Sequence, residues 1–302
     1  MRAVLFATLA LSLAAPARAD PLLLREYLAA LKPAPPSETV HYGPESSQVV
    51  DVYQPKASGP HPAVILVHGG CWSKEVGREG LSNFAQALSD RGVTVWSVEY
   101  RRLGDPGGGY PGMYQDVAAA VDRLRTEAPR LKVDLIRTLA VGHSSGGQLA
   151  LWAASRHKLP AGNVLRTADP LPIPTVISLG GLGDLKRLSG LVPWACGPQL
   201  KLAEVVGEKT EARPDPFVDT SPRQMLPTGV RTVFLQGEYD DILPPFVAYF
   251  WRRSAQRAGD PVSVRTLMGA GHFDVVAPQT AAGADVLNVI EAEIKALPAK
   301  PR

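Results

Sequence analysis

Cysteine is scarce in this chain. Its 302 residues hold two, Cys71 and Cys196, so at most one internal disulfide can form. An oxidising compartment permits that bond. It also needs the two Cα atoms within about 7 Å, and residue spacing alone leaves the pairing open. Charge of one sign is lacking too. The formal net charge of +3 is too small to name nucleic acid or an anionic membrane as a partner. Past residue 19 no apolar run reaches about 18 residues, so no stable membrane span is expected. Internal repeats are absent, and nothing requires a second domain, a metal or a cofactor. What remains, 45% hydrophobic and 20% charged residues, is the make-up of one large α/β core.

The N-terminus departs from that average. Arg2 supplies a basic start, residues 4–15 are apolar, and Ala17-Arg18-Ala19 is a small-residue cleavage pattern before Asp20. This is the arrangement of a secretory signal peptide over 1–19, with cleavage after Ala19 and a periplasmic or secreted mature chain. Residues 20–37 read as a short helix over 22–31 and a stiff linker, Pro33-Ala34-Pro35-Pro36. Residues 38–302 read as one domain. Two strands, 38–42 and 48–53, flank a Gly43-Pro44 turn. Strands at 63–67, 93–98, 138–141, 174–179, 231–236 and 262–267 then alternate with helices at 81–91, 113–127, 147–157, 245–258 and 277–297. Alternation of this kind predicts an α/β fold, a mostly parallel central sheet with helices on both faces. The one long irregular stretch, 180–222, is rich in Pro, Gly and charge and reads as a lid or cap insertion.

Gly142-His143-Ser144-Ser145-Gly146 sits between the 138–141 strand and the 147–157 helix. Strand, one-serine turn and helix is the context in which a Gly-x-Ser-x-Gly pattern presents a nucleophile. The turn crowds the backbone, so small residues must flank it, and the helix N-terminus aims free N–H groups at developing negative charge. A serine hydroxyl needs a general base, and the base needs an orienting acid. Of six histidines, only His272 follows both the serine and a suitable acid. It lies in a glycine-rich loop between the last strand and the last helix. His143, inside the elbow, is expected to point away from the nucleophile. The acid is expected after the 231–236 strand, where Asp240 and Asp241 compete. Asp274 is too near His272 in sequence to be its partner. Upstream, His68-Gly69-Gly70-Cys71-Trp72 follows a buried strand, and its glycines let backbone N–H groups approach a bound carbonyl. Ser145, after the nucleophile, would add a second donor. Tyr110, Trp194 and Tyr239 lie in loops after strands or in the lid and are candidates for lining the acyl or alcohol pocket.

These segments together resemble the α/β-hydrolase superfamily over nearly the whole chain after the signal peptide. The His68-Gly69-Gly70-Cys71-Trp72 segment resembles the His-Gly-Gly-x-Trp loop of kynurenine formamidase (arylformamidase) and its carboxylesterase relatives. The Gly237-x-x-Asp240-x-x-Leu243-Pro244 and Gly271-His272 segments are similar to the acid and histidine loops of that group. The resemblance implies Ser144 as nucleophile, Asp240 as acid and His272 as base. It also implies oxyanion donors near Gly70 and Cys71 besides Ser145, and Trp72 as a pocket wall. The expected activity is a serine hydrolase acting on small-molecule carboxylic esters, without metal or cofactor. An aryl formamidase on the same triad is the alternative, disfavoured by the export signal. A binding module that has lost catalysis is the alternative of another class, disfavoured because no triad member is missing.

Overall fold

The computed structural model describes residues 21–298, and the signal-peptide expectation lies outside them. A short helix, α1 (Leu24–Ala30), leads into the antiparallel pair β1 (Glu38–His41) and β2 (Val49–Tyr53). Then follow β3 (His61–Val67), α2 (Ser82–Asp90), β4 (Thr94–Val98), α3 (Gly112–Leu131) and β5 (Val133–His143). Next come α4 (Ser145–Ser155), β6 (Thr175–Leu179), α5 (Leu191–Cys196) and α6 (Leu202–Val206). The chain ends through β7 (Arg231–Gly237), α7 (Phe246–Ala258), β8 (Val262–Leu267) and α8 (Ala281–Ala296).

The eight strands form one sheet in the order β1-β2-β4-β3-β5-β6-β7-β8. β2 pairs antiparallel with β4, and every pairing from β4 to β8 is parallel. The central strands β4 and β6 are buried along their whole length because helices cover both faces. Along β3, Ile65 and Val67 join one core cluster with Met113 of α3, Trp152 of α4 and Trp251 of α7. Val64 and Leu66 face the other, with Phe84 of α2, Ile290 of α8 and Tyr27 of α1. This period-two division of one strand between two cores is what a three-layer α/β fold requires.

Several element boundaries differ by a few residues from those expected, most at the starts of β5 and α8 and the end of α3. β5 begins at Val133, which pairs with His61 of β3; the register then shifts, and residues 133–137 stay partly exposed, as Ile136 at 44% shows, and carry no continuous apolar run. α8 begins at Ala281, where Thr280 caps it by accepting the Gly283 N–H at 2.9 Å. Within 180–222 the chain is largely packed down. Leu182, Leu185 and Val192 are buried, and Arg213 is ion-paired with Asp219. The backbone carbonyls of Asp219 and Thr220 accept from Trp152 Nε1 and Gln148 Nε2, both at 2.8 Å.

Candidate active site

Five strands deliver the site by their C-terminal ends, where a parallel sheet leaves open crevices. Gly69 follows β3, Ser144 follows β5, Gly180 follows β6, Asp240 follows β7 and His272 follows β8. Ser144 takes φ 53° and ψ −124°, backbone that an L-residue rarely adopts. Its neighbours show why the elbow needs glycine. A Cβ at Gly142 would lie 2.2 Å from the Gly146 carbonyl oxygen, and one at Gly146 would lie 2.2 Å from that of Val67.

His272 and Asp240 are joined directly. His272 Nδ1 lies 2.7 Å from Asp240 Oδ2, both side chains being buried. The other oxygen, Oδ1, accepts the N–H groups of Ile242 at 3.1 Å and Leu243 at 2.7 Å, so the carboxylate is fixed from two sides. Asp241 is exposed. Asp274 instead holds the histidine loop from outside, its Oδ2 accepting from Gly271 N at 2.8 Å and Leu22 N at 2.9 Å. Gly180, at φ +52°, presses against the pair. A Cβ there would stand 3.0 Å from Asp240 Oδ2 and 3.1 Å from His272 Nδ1.

The loop after β3 carries two consecutive left-handed non-glycine residues, Cys71 at φ 55° and Trp72 at φ 56°. Such backbone costs about 1–3 kcal/mol per residue and persists only where surroundings impose it. Here Trp72 Nε1 donates to Gln148 Oε1 at 3.1 Å, Trp72 N donates to Ser145 Oγ at 3.3 Å, and Trp72 O accepts from Leu103 N at 2.7 Å. Cys71 is disulfide-bonded to Cys196, which closes the pairing left open by residue spacing. Gly69 abuts the elbow, with a Cβ there falling 2.8 Å from Ser144 Cβ. No group among the described residues accepts the N–H of Gly70 or Cys71.

Beneath this loop His68 stacks on Tyr100, ring centroids 4.5 Å apart, with its Nε2 2.8 Å from Glu99 Oε1. Burial works against a charged Glu99, but His68, Arg102 and the Arg78 N–H outweigh it and hold the carboxyl down at about 2. His143 turns toward the histidine loop: its Nε2–H donates to the His272 carbonyl at 3.0 Å, and it lines the same cavity as Ser144. Burial, then the neighbouring His272, pushes its imidazole down to about 3, leaving it neutral. Gln148, which ties the loop, the elbow helix and the Thr220 carbonyl together, also escaped the sequence reading. A glutamine inside an apolar helix face was its only signal.

A cavity of about 360 Å³ opens over Ser144, bounded by His272, Phe273, Cys196, the Gly70–Cys71 loop and α1. Its walls are mainly apolar, with Ser73, Glu75, Gln199, His68 and His143 as polar exceptions besides Ser144 and His272. A second cavity of about 10 Å³ lies beside it, touching Ser144, Ser145 and Trp72. Three aromatics expected at a pocket lie outside both cavities. Tyr110 packs under Arg213, with its ring 4.2 Å from the guanidinium carbon. Trp194 faces outward on α5, 65% exposed, and lines neither cavity, because Ala195 and Cys196 take the inward positions. Tyr239 lies in a neighbouring groove beside His272 and Leu23, not in either cavity.

Among described residues, no cluster of His, Cys, Asp or Glu has metal-binding geometry, and no helix is long and apolar enough to cross a membrane. The BD-FAE family model matches residues 50–248. No curated protein matches the chain in sequence. Among solved structures, a truncated carbohydrate esterase from gut microbiota superposes with TM-score 0.70 at 21% identity, covering 86% of this chain and 97% of that one. A propionate-bound thermophilic esterase of the planctomycete Thermogutta terrifontis gives 0.69 at 20% identity, with 88% and 97% covered. Esterase B of Lactobacillus rhamnosis, inhibited by a tributyrin phosphonate, gives 0.72 at 17% identity, with 90% and 89% covered. At these identities the likeness establishes the fold, that of the α/β-hydrolase esterases.

Proposed function

Because the chain belongs to the BD-FAE family, an α/β-hydrolase-type esterase domain, we propose that it is a serine hydrolase that cleaves small carboxylic esters through an acyl-enzyme. The carrying observation is the buried His272–Asp240 pair, 2.7 Å apart, on the cavity that Ser144 enters from its strained turn. In this reading Ser144 Oγ attacks the ester carbonyl carbon while its proton passes to His272 Nε2. The oxygen that gains negative charge is held by the N–H groups of Gly70, Cys71 and Ser145. The intermediate collapses as the C–O bond to the alcohol breaks and the departing oxygen takes the proton from His272. Water then attacks the acyl-enzyme, giving its proton to His272, and the acid leaves as Ser144 regains a proton. Asp240 keeps Nδ1–H pointed away from the substrate and stabilises the imidazolium formed in each half-reaction.

Ser144→Ala should lower kcat for p-nitrophenyl acetate by about 10³-fold or more while leaving the circular-dichroism spectrum intact. A folded variant with wild-type turnover would end the serine mechanism. Aryl formamidase chemistry would use the same atoms, and lower turnover of N-formylkynurenine than of acetate esters is expected. Export is part of this reading. The signal-like pattern at 1–19 motivates it, and the Cys71–Cys196 disulfide supports it, since such bonds persist mainly in oxidising compartments. N-terminal sequencing of the exported protein should start at Asp20.

A further inference from the structure

A carbonyl carbon attacked by Ser144 carries two substituents, and the site treats them differently. The departing oxygen must reach the proton on His272, so the alcohol lies on the His272 side and the acyl chain on the opposite side. The 360 Å³ cavity has His272 and Phe273 in its wall. The 10 Å³ cavity has neither: it touches Ser144 and Ser145 and is walled by Trp72, Leu182, Val192 and Leu243. A space of that size holds roughly one water-sized or methyl-sized group. Its walls are buried apolar side chains, Trp72 and Val192 at 1% exposure and Leu182 at 2%. They are also held in place, Trp72 by its hydrogen bond to Gln148 and Cys196 by the disulfide.

Resting on the serine-esterase reading above, we propose that this small cavity is the acyl site and confines the enzyme to formyl-sized and acetyl-sized acyl groups on a bulkier alcohol. Val192 and Leu182 set the limit. A longer chain has to displace close-packed side chains, and a close-packed interior yields little to an added methylene. Discrimination of about tenfold or more between acyl chains differing by one or two methylenes is the scale such packing supports.

The test is kcat/KM on p-nitrophenyl acetate, propionate, butyrate and hexanoate with the purified full-length enzyme. The leaving group is constant and kcat/KM reports acylation, so the series isolates the acyl side. Acetate should exceed butyrate by about tenfold or more, with hexanoate lower still. Val192→Ala and Leu182→Ala should each raise the butyrate-to-acetate ratio about tenfold. Should one variant fail to fold, the other and the wild-type series still decide. Wild-type turnover of butyrate equal to acetate, abolished in Ser144→Ala, would overturn the acyl limit and leave the serine mechanism standing. Unmoved ratios in folded variants would overturn the assigned walls. Absence of any Ser144-dependent ester turnover would remove both.

Discussion

At the scale of single residues, the site is held by positions where no other side chain fits. Gly180 is the clearest. Its φ of +52° already disfavours a side chain, and a Cβ would crowd Asp240 Oδ2 and His272 Nδ1 at 3.0 and 3.1 Å. Gly180→Ala is therefore expected to cost about 1–3 kcal/mol of stability in urea titrations and to lower kcat/KM about tenfold or more by displacing the pair. Equal activity would mean that the pair tolerates displacement. The opposite device operates at Cys71 and Trp72, which occupy left-handed backbone without being glycine. Their strain is held by contacts to Gln148, Ser145, Leu103 and Cys196, all distant in sequence.

Among elements, the link between α5 and the loop after β3 has the largest reach. The Cys71–Cys196 bond closes 125 residues of chain and fastens the end of α5 to the loop that would face the oxyanion. In the chain-entropy model a loop of that length is worth about 4–5 kcal/mol, and native bonds commonly deliver about 2–5. Cys196→Ser should thus lower unfolding free energy by about 2–5 kcal/mol and shift the urea midpoint down. Reduced wild type should behave alike. An unchanged midpoint would show that Leu182, Leu185, Val192 and the Arg213–Asp219 pair hold the 180–222 segment without the bond. Most strands and the longer helices were legible from local pattern, since β3, β4 and β6 are short runs of mainly apolar or β-branched residues between turns, whereas α5 and α6 lie in the 180–222 stretch read as irregular. The first half of β5 was not legible either, because it is only partly buried and mixes polar with apolar residues.

For the whole molecule, two buried groups make stability fall with acid. The Glu99 carboxyl is held at about 2 against an ordinary 4.5, so its contribution is full above pH 4.5 and is lost as pH drops toward 2. The His143 imidazole is held at about 3 against 6.5. Below pH 6.5 the unfolded chain binds a proton that the folded chain refuses, so stability declines from 6.5 down to about 3. Each group contributes a slope of up to about 1.4 kcal/mol per pH unit within its window. Urea unfolding between pH 4.5 and 8 should show this decline, and His143→Gln should flatten the limb between pH 4.5 and 6.5. An identical limb in the variant would assign the acid sensitivity to other groups.

The residues alone determined the α/β architecture and the turns that carry Ser144, Asp240 and His272. Strand and helix periods, glycine turns and the elbow pattern are local, and chain order is part of the sequence. Which of Asp240 and Asp241 faces His272 was decided by the bend after β7, which buries one and exposes the other. Whether Cys71 meets Cys196, whether Tyr110 and Trp194 reach a cavity, and how His143 points were likewise decided only in three dimensions. Each depends on the order β4-β3-β5-β6-β7-β8 and on how 180–222 packs down across it. Proximity between segments more than 100 residues apart is a property of sheet order and packing, and no local pattern encodes it.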